Sequence, residues 1–355
     1  MGTCQSLTGR YARFGTQAER ALSIWRELDG RAALTVADDR SDPEALAAAL
    51  PVVARRCDLL LGPYSTGLTR VAGRLAAGHG WLLWNHGGAG DDVLAAHPGH
   101  LVSILTPASR YADPFVRHLA TARPPVPLWI AHGAGSFGRT VAAGAEAAAR
   151  RLGLDTARLD HATGRPPDDR PWDLFCAGSF EEDVELIRRV RSTRRPPRVV
   201  GAVAAGVREF GASGLDPAGV YGVGQWFPGR PGAQNPAVGP GEGEFLGAYR
   251  ARYGVVPDYP AIQAVAAAAL ATHCLRETGG AGSGGPRLGD AGPYGAGPDG
   301  ALWRAALALD TSTLFGGFRV RPPDGRQAGH DPVLVRWTSD AAALVAPDDA
   351  LRFDD

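Results

Sequence analysis

The stretch Leu128 to Arg151, LWIAHGAGSFGRTVAAGAEAAARR, holds the spacing in this chain that most suggests chemistry. Gly133, Gly135 and Gly138 stand as Gly-x-Gly-x-x-Gly between an apolar run and an Ala-rich helical stretch, the pattern that admits a dinucleotide pyrophosphate. That chemistry wants the glycines in the first strand–helix unit and an acid about twenty residues on, at a strand end. Here the pattern lies well into the chain, and Asp155 sits in a polar turn before Ala157. Glycines that let a backbone turn tightly are the better reading, and no cofactor is expected. His86-Gly87-Gly88 has the look of an esterase oxyanion loop. That reading needs a Gly-x-Ser-x-Gly elbow followed by a helix, and none is found. Asp91 and Asp92 follow the loop as first-turn acids that serve a helix dipole. No acid, base and nucleophile converge, so no enzyme is expected.

Composition narrows the field further. The 37 basic residues are all arginine, which removes Schiff-base chemistry, Ser–Lys dyads and a Walker lysine. They balance 37 acids, which leaves no field for nucleic acid. Cys4, Cys57, Cys176 and Cys274 are far apart and form no Cys-x-x-Cys pair, so neither zinc nor a disulfide framework is indicated. No apolar run approaches the ~18 residues of a membrane span. No secretory leader stands at the N-terminus. A length of 355 residues suggests two domains.

Helices and strands alternate to position these loops. A helix is expected over 16–28, then a strand over 34–38 and a helix opened by Asp42-Pro43-Glu44, with Asp as cap and Pro in the first turn. Short strands are expected over 57–61, 81–84 and 101–105, with a helix over 68–78 capped by Ser65 or Thr66. The pattern restarts with strands over 126–131, 174–177, 198–203 and 220–226. Its helices run over 139–152 and from Ser179, with Glu181 and Glu182 in the latter's first turn. A Pro/Gly-rich loop spans 228–244, helices 244–253 and 260–278, and a Gly-rich flexible insertion 279–300. Strands over 318–320 and 333–337 flank Asp324-Gly325-Arg326 as a hairpin. Such alternation predicts an α/β fold of two Rossmann-like lobes, parallel sheets flanked by helices.

This order resembles the type I periplasmic binding proteins, and among them the branched-chain amino acid type of ABC transporter substrate-binding protein. The resemblance rests on QSLTGRYARFGTQAERALSIW (Gln5–Trp25), LLGPYSTGLT (Leu60–Thr69), WNHGGAG (Trp84–Gly90), DYPAIQA (Asp258–Ala264) and FRVRPPDGRQAGHDPVLVRW (Phe318–Trp337), in that order. It implies lobes of 1–122 with 248–312 and 123–247 with 313–355, joined by a multi-crossover hinge, with ligand in the cleft. It implies a non-enzymatic solute-binding component that captures a small polar molecule by lobe closure. Its partners would be the solute, an amino acid, amide or related metabolite, and an ABC permease if the chain is exported.

The resemblance places Tyr64, Ser65 and Thr66 in one wall of the ligand site, and Asn85, His86, Gly87, Gly88 and Ala89 in a second loop. Ser65 caps its helix, donates to ligand, or does both. His86, neutral or charged near physiological pH, is a ligand contact or a surface loop histidine. Phe14 and Phe137 cover the ligand or pack in the core, and Ser179, Phe180, Gln225 and Trp226 complete the set. Two departures stand out. Amino-acid binders of this kind carry an acid after the strand at 198–203 to neutralise the ammonium, and this chain has none before Glu209. An unpaired buried ammonium is costly, so an amide, an aromatic acid or a short polar metabolite fits at least as well. Only Met1 to Cys4 precede QSLTG, so the family's first strand is expected to be cut short. Either the start is misplaced and the protein works outside the membrane, or it is a cytosolic ligand sensor of the same fold, like the amide-sensing regulators.

Overall fold

The structure, a computed structural model, describes residues 1–30, 32–122, 124–160, 164, 170–279, 297, 299–339 and 341–346. The expected Gly-rich insertion at 279–300 lies largely outside them. The chain divides into two units: Met1–Pro107 with Pro228–Asp331, and Ala108–Phe227 with Pro332–Asp355.

The first unit opens with β1 (Gly2–Gln5), α1 (Ala12–Asp29), β2 (Thr35–Asp38), α2 (Pro43–Ala54), β3 (Leu60–Leu61), α3 (Thr66–His79), β4 (Leu83–Asn85), α4 (Asp91–Ala95) and β5 (Leu101–Ser103). The strands form one parallel sheet in the order β2-β1-β3-β4-β5. The strand expected to be cut short is therefore present, as β1. Four residues suffice because β1 pairs on both sides and all four are buried. Asp42 caps α2 by accepting from the Glu44 and Ala45 amides. One sheet face buries Cys4, Leu46, Leu50, Leu60, Leu83 and Leu101 in a common core.

In the second unit, α5 (Asp113–Leu119) precedes β6 (Leu128–His132), α6 (Ser136–Arg151), β7 (Thr156–Arg158), β8 (Asp173–Ala177), α7 (Phe180–Arg191), β9 (Val200–Ala202) and β10 (Val220–Gly224). The chain then returns to the first unit for α8 (Glu242–Tyr253), α9 (Tyr259–Glu277), α10 (Ala301–Ala308), β11 (Asp310–Thr313), β12 (Gly316–Arg321) and β13 (Arg326–Gln327). Fourteen of the nineteen residues of α9 are buried, and it runs along α1. Strands β14 (Val333–Trp337) and β15 (Ala342–Leu344) close the second unit's sheet, whose order is β15-β14-β10-β9-β8-β6-β7. Its first five strands in sequence are parallel; β14 and β15 are antiparallel.

Two expectations are corrected. The turn at Asp324-Gly325 does join a hairpin, but the partner of β12 is β13, with Val320 opposite Gln327. Val333–Trp337 instead pairs with β10, and the Trp337 indole donates to the Ala205 carbonyl at 2.8 Å. The unit boundaries also differ from the expected 122, 247 and 312. Helix α5 belongs to the second unit because Phe115 stacks on Phe175 there, at 5.4 Å between ring centres. The β11–β13 sheet belongs to the first because the Gln327 amide donates to the Ile104 carbonyl at 3.1 Å.

Near all three chain passages between the units, the first unit carries one polar knot. The buried His330 ring places Nδ1 2.7 Å from the Thr106 hydroxyl and Nε2 3.2 Å from both the Phe315 carbonyl and Arg230. Phe315 stacks on the ring at 4.1 Å. Thr106 precedes the first passage, Arg230 follows the second, and His330 precedes the third.

Candidate functional site

In the first unit the loops after β3 and β4 lie side by side. The Ser65 amide donates to the Gly87 carbonyl at 2.9 Å. A methyl group on Gly87 would stand 2.4 Å from the Pro63 carbonyl oxygen, and one on Gly88 2.4 Å from the Thr69 hydroxyl. Only glycine permits this approach. Asn85 is the clasp: its carboxamide oxygen accepts from Gly88 at 2.9 Å and Gly87 at 3.2 Å, while its nitrogen donates to the Gly88 carbonyl and the Ser103 hydroxyl. Asn85 is wholly buried, so it shapes the loop from beneath. Ser65 caps α3 by accepting from Leu68 at 3.3 Å, and it holds φ of 93°, rare for a residue with a side chain. Thr66 begins α3 and is buried with Ala89. Ser65 and Tyr64 remain half-buried.

His86 is no surface histidine. It is fully buried, its Nε2 lies 3.0 Å from the Gln5 amide nitrogen, and burial pushes its pKa down to about 4. The ring is neutral at physiological pH. Phe14 stacks on Tyr64 at 4.6 Å, Tyr11 meets Tyr64 edge-on at 6.2 Å, and the Tyr64 and Tyr259 hydroxyls are 2.8 Å apart. Burial raises the Tyr259 pKa well above the ordinary phenol value, so the pair shares a neutral hydrogen bond. Tyr11 and Tyr259 were missed as partners of Tyr64, although both lie inside the stretches that carry the resemblance.

In the second unit, Gly133, Gly135 and Gly138 do link a strand to a helix, β6 to α6. Gly138 is there for packing: a methyl group on it would lie 2.2 Å from the Ala177 carbonyl oxygen. At Gly133 a methyl group would meet the Glu182 carboxylate at 2.1 Å. Glu182 thus fills the space beside the first glycine of the pattern, whereas a methyl group on the second, Gly135, would meet nothing within 4 Å. Phe137 is half-buried and meets Tyr111 edge-on at 5.3 Å. Ser179 is exposed and caps α7 in a reciprocal box with Glu182. Phe180 packs on the unit's core, and Gln225 and Trp226 are buried at the end of β10.

The acid missing after β9 has a counterpart that sequence reasoning missed. Asp183 is wholly buried, accepts from Gly178 at 2.7 Å and from Ala204 at 3.1 Å, and so ties the loops after β8 and β9 together. Burial raises its pKa to about 7. Each oxygen accepts from a backbone amide, so the carboxyl is committed to holding the loops. The run Glu181-Glu182-Asp183 reads in sequence as first-turn acids, and that disguises the third. Among the described residues no group of three His, Cys, Asp or Glu side chains is placed to hold a metal ion. No helix among them is long and apolar enough to cross a membrane.

No family model matches the chain, and no curated protein matches it. Solved structures do. A Rhodopseudomonas palustris solute-binding protein of an ABC transporter, in complex with 3,4-dihydroxybenzoic acid, superposes with a TM-score of 0.77 at 14% identity, covering 99% of this chain and 97% of that one. The Thermotoga maritima leucine-binding protein LivK gives 0.75 at 12% identity, covering 97% of each chain. The Streptococcus pneumoniae branched-chain amino acid transporter substrate-binding protein LivJ, in complex with isoleucine, gives 0.73 at 14% identity, covering 97% of this chain and 98% of that one. The fold is thus that of the type I periplasmic binding proteins over nearly the whole chain.

Proposed function

We propose that the chain is the solute-binding component of an ABC importer, and that it takes a small carboxylate or amide without a free α-ammonium. The observation that carries this reading is the pairing of the Ser65 and Gly87 loops at the strand ends, under half-buried Tyr64 and Phe14. The start of α3 beside Ser65 offers free backbone donors to an anionic or polar group. Tyr64 and Phe14 offer an aromatic face to the rest of the solute. The absence of a free carboxylate after β9 disfavours amino acids. Two of the similar proteins are described in complex with benzoate-type acids and two in complex with leucine or isoleucine, so both classes lie within reach of this fold. Capture is by closure of the two units on the solute, outside the cytoplasmic membrane, for delivery to a permease.

A thermal-shift panel of amino acids, aliphatic amides and aromatic acids tests this. A ligand at ~100 times its Kd stabilises by about 2.7 kcal/mol. The expected result is a shift with amides or aromatic acids and none with leucine. A shift confined to amino acids overturns the solute class, and one confined to NAD(P) overturns the function.

A further inference from the structure

One pocket, of about 410 Å³, lies on the first unit, on the face of α1 turned toward the segment joining α8 to α9. Its chemistry is lopsided. Thr16 and Arg20 stand one helical turn apart on that face of α1 and line it from one side. Val255, Val256 and Pro257 line it from the other, with Val255 52% exposed. Arg20 makes no ion pair among the described residues, and the Thr16 hydroxyl makes no hydrogen bond among them. Yet the guanidinium is held in place. It lies 4.9 Å over the Tyr253 ring and bonds the hydroxyl of buried Tyr249. The Gln17 side chain accepts from the Asp258 amide at 2.8 Å and pins the opposite wall.

A fixed guanidinium with no carboxylate of its own is arranged for a planar anion. Orienting it in advance lowers the entropic cost of binding. We propose that this pocket is a second binding site, for a small monocarboxylate with an apolar body. The carboxylate seats on Arg20 and the Thr16 hydroxyl, and the body lies on Val255 and Val256. Glu19, near enough to Tyr249 to act on it, and Asp258 in the lining make the surroundings unfavourable for a phosphate or a dicarboxylate. The pocket uses neither Ser65 nor the Gly87 loop, so the inference stands apart from the proposed function.

Calorimetric titration of the full chain with sodium hexanoate, against neutral hexanamide, tests it. Hexanoate should show an Arg20-dependent binding event, and hexanamide should show that event at least about tenfold more weakly. Arg20→Gln should cost hexanoate at least about tenfold. Val255→Glu changes an exposed side chain, spares the fold and sets a second anion against the site, so it should cost a similar factor. The Arg20-dependent part of the hexanoate heat should persist in Ser65→Ala. The proposal is overturned if hexanoate is silent at about 10 mM, if Val255→Glu binds it as the parent does, or if Ser65→Ala abolishes the heat, which would assign the binding to the other site.

Discussion

The two units brace their strand-end loops by opposite chemistry. In the first, a neutral carboxamide, Asn85, holds Gly87 and Gly88, and a neutral imidazole, His86, lies beneath. In the second, carboxylates do the holding: Asp183 ties Gly178 to Ala204, and Glu182 closes the cap at Ser179. The difference teaches that one sheet-and-helix plan stiffens its loops with whichever buried acceptor the sequence supplies. The two choices then answer acid in opposite directions.

The contrast is broken most sharply at the glycines. Gly87→Ala drives a methyl group into backbone and should cost about 3 kcal/mol or more, whereas Gly135→Ala meets nothing within 4 Å and should change stability by less than about 0.5 kcal/mol. Urea denaturation of the pair measures both, and equal values would refute the close-approach account. Next comes Asn85→Ala, which strands the Gly87 and Gly88 amides and the Gly88 carbonyl, for about 2–3 kcal/mol by the same assay.

The pH response sharpens the comparison. The His86 pKa is depressed to about 4 from 6.5, so its contribution is present above the unfolded value and lost as pH falls through that window. The Asp183 pKa is raised to about 7 from 3.8, so ionisation penalises the folded state, and stability rises as pH falls from 7 toward 4. By pH 5 each effect is on the order of 2 kcal/mol. Hydrogen exchange, corrected for intrinsic rates and resolved by unit, should show the first unit weakening on acidification relative to the second. Asp183→Asn should flatten the second unit's trend and His86→Asn the first's; parallel trends in both parents and variants would sink the idea. The smallest effect belongs to Ser65→Gly. Relief of the positive φ offsets the lost cap bond, so stability should move by less than about 0.5 kcal/mol while affinity for the panel's solute falls.

What the sequence made legible was local. The caps at Asp42, Ser65 and Ser179 follow from a side chain and an amide two or three residues away. The β/α alternation follows from periodicity, and with it the two sheets of mainly parallel strands flanked by helices. What it hid was settled at a distance. Nothing near Val333 says that it pairs with β10 and leaves Arg326–Gln327 to complete the hairpin. Nothing near His86 says that its ring will be buried against Gln5, 81 residues away, and that burial will strip its charge. Phe14 and Tyr64 were each legible as candidates, but their stacking on one another, and the Tyr259 hydroxyl beside it, required the fold.

The His330 knot also bears on the order in which the chain is made. Thr106 emerges early in synthesis and its partner ring 224 residues later. Helix α9, which runs along α1, also arrives only after the whole of β6–β10. A nascent chain therefore holds an unfinished first unit, its α1 face uncovered, while the contiguous 108–227 segment can already collapse onto its own core. The first unit waits for α9 and His330, and the second waits longer still, for β14, whose Trp337 completes its core.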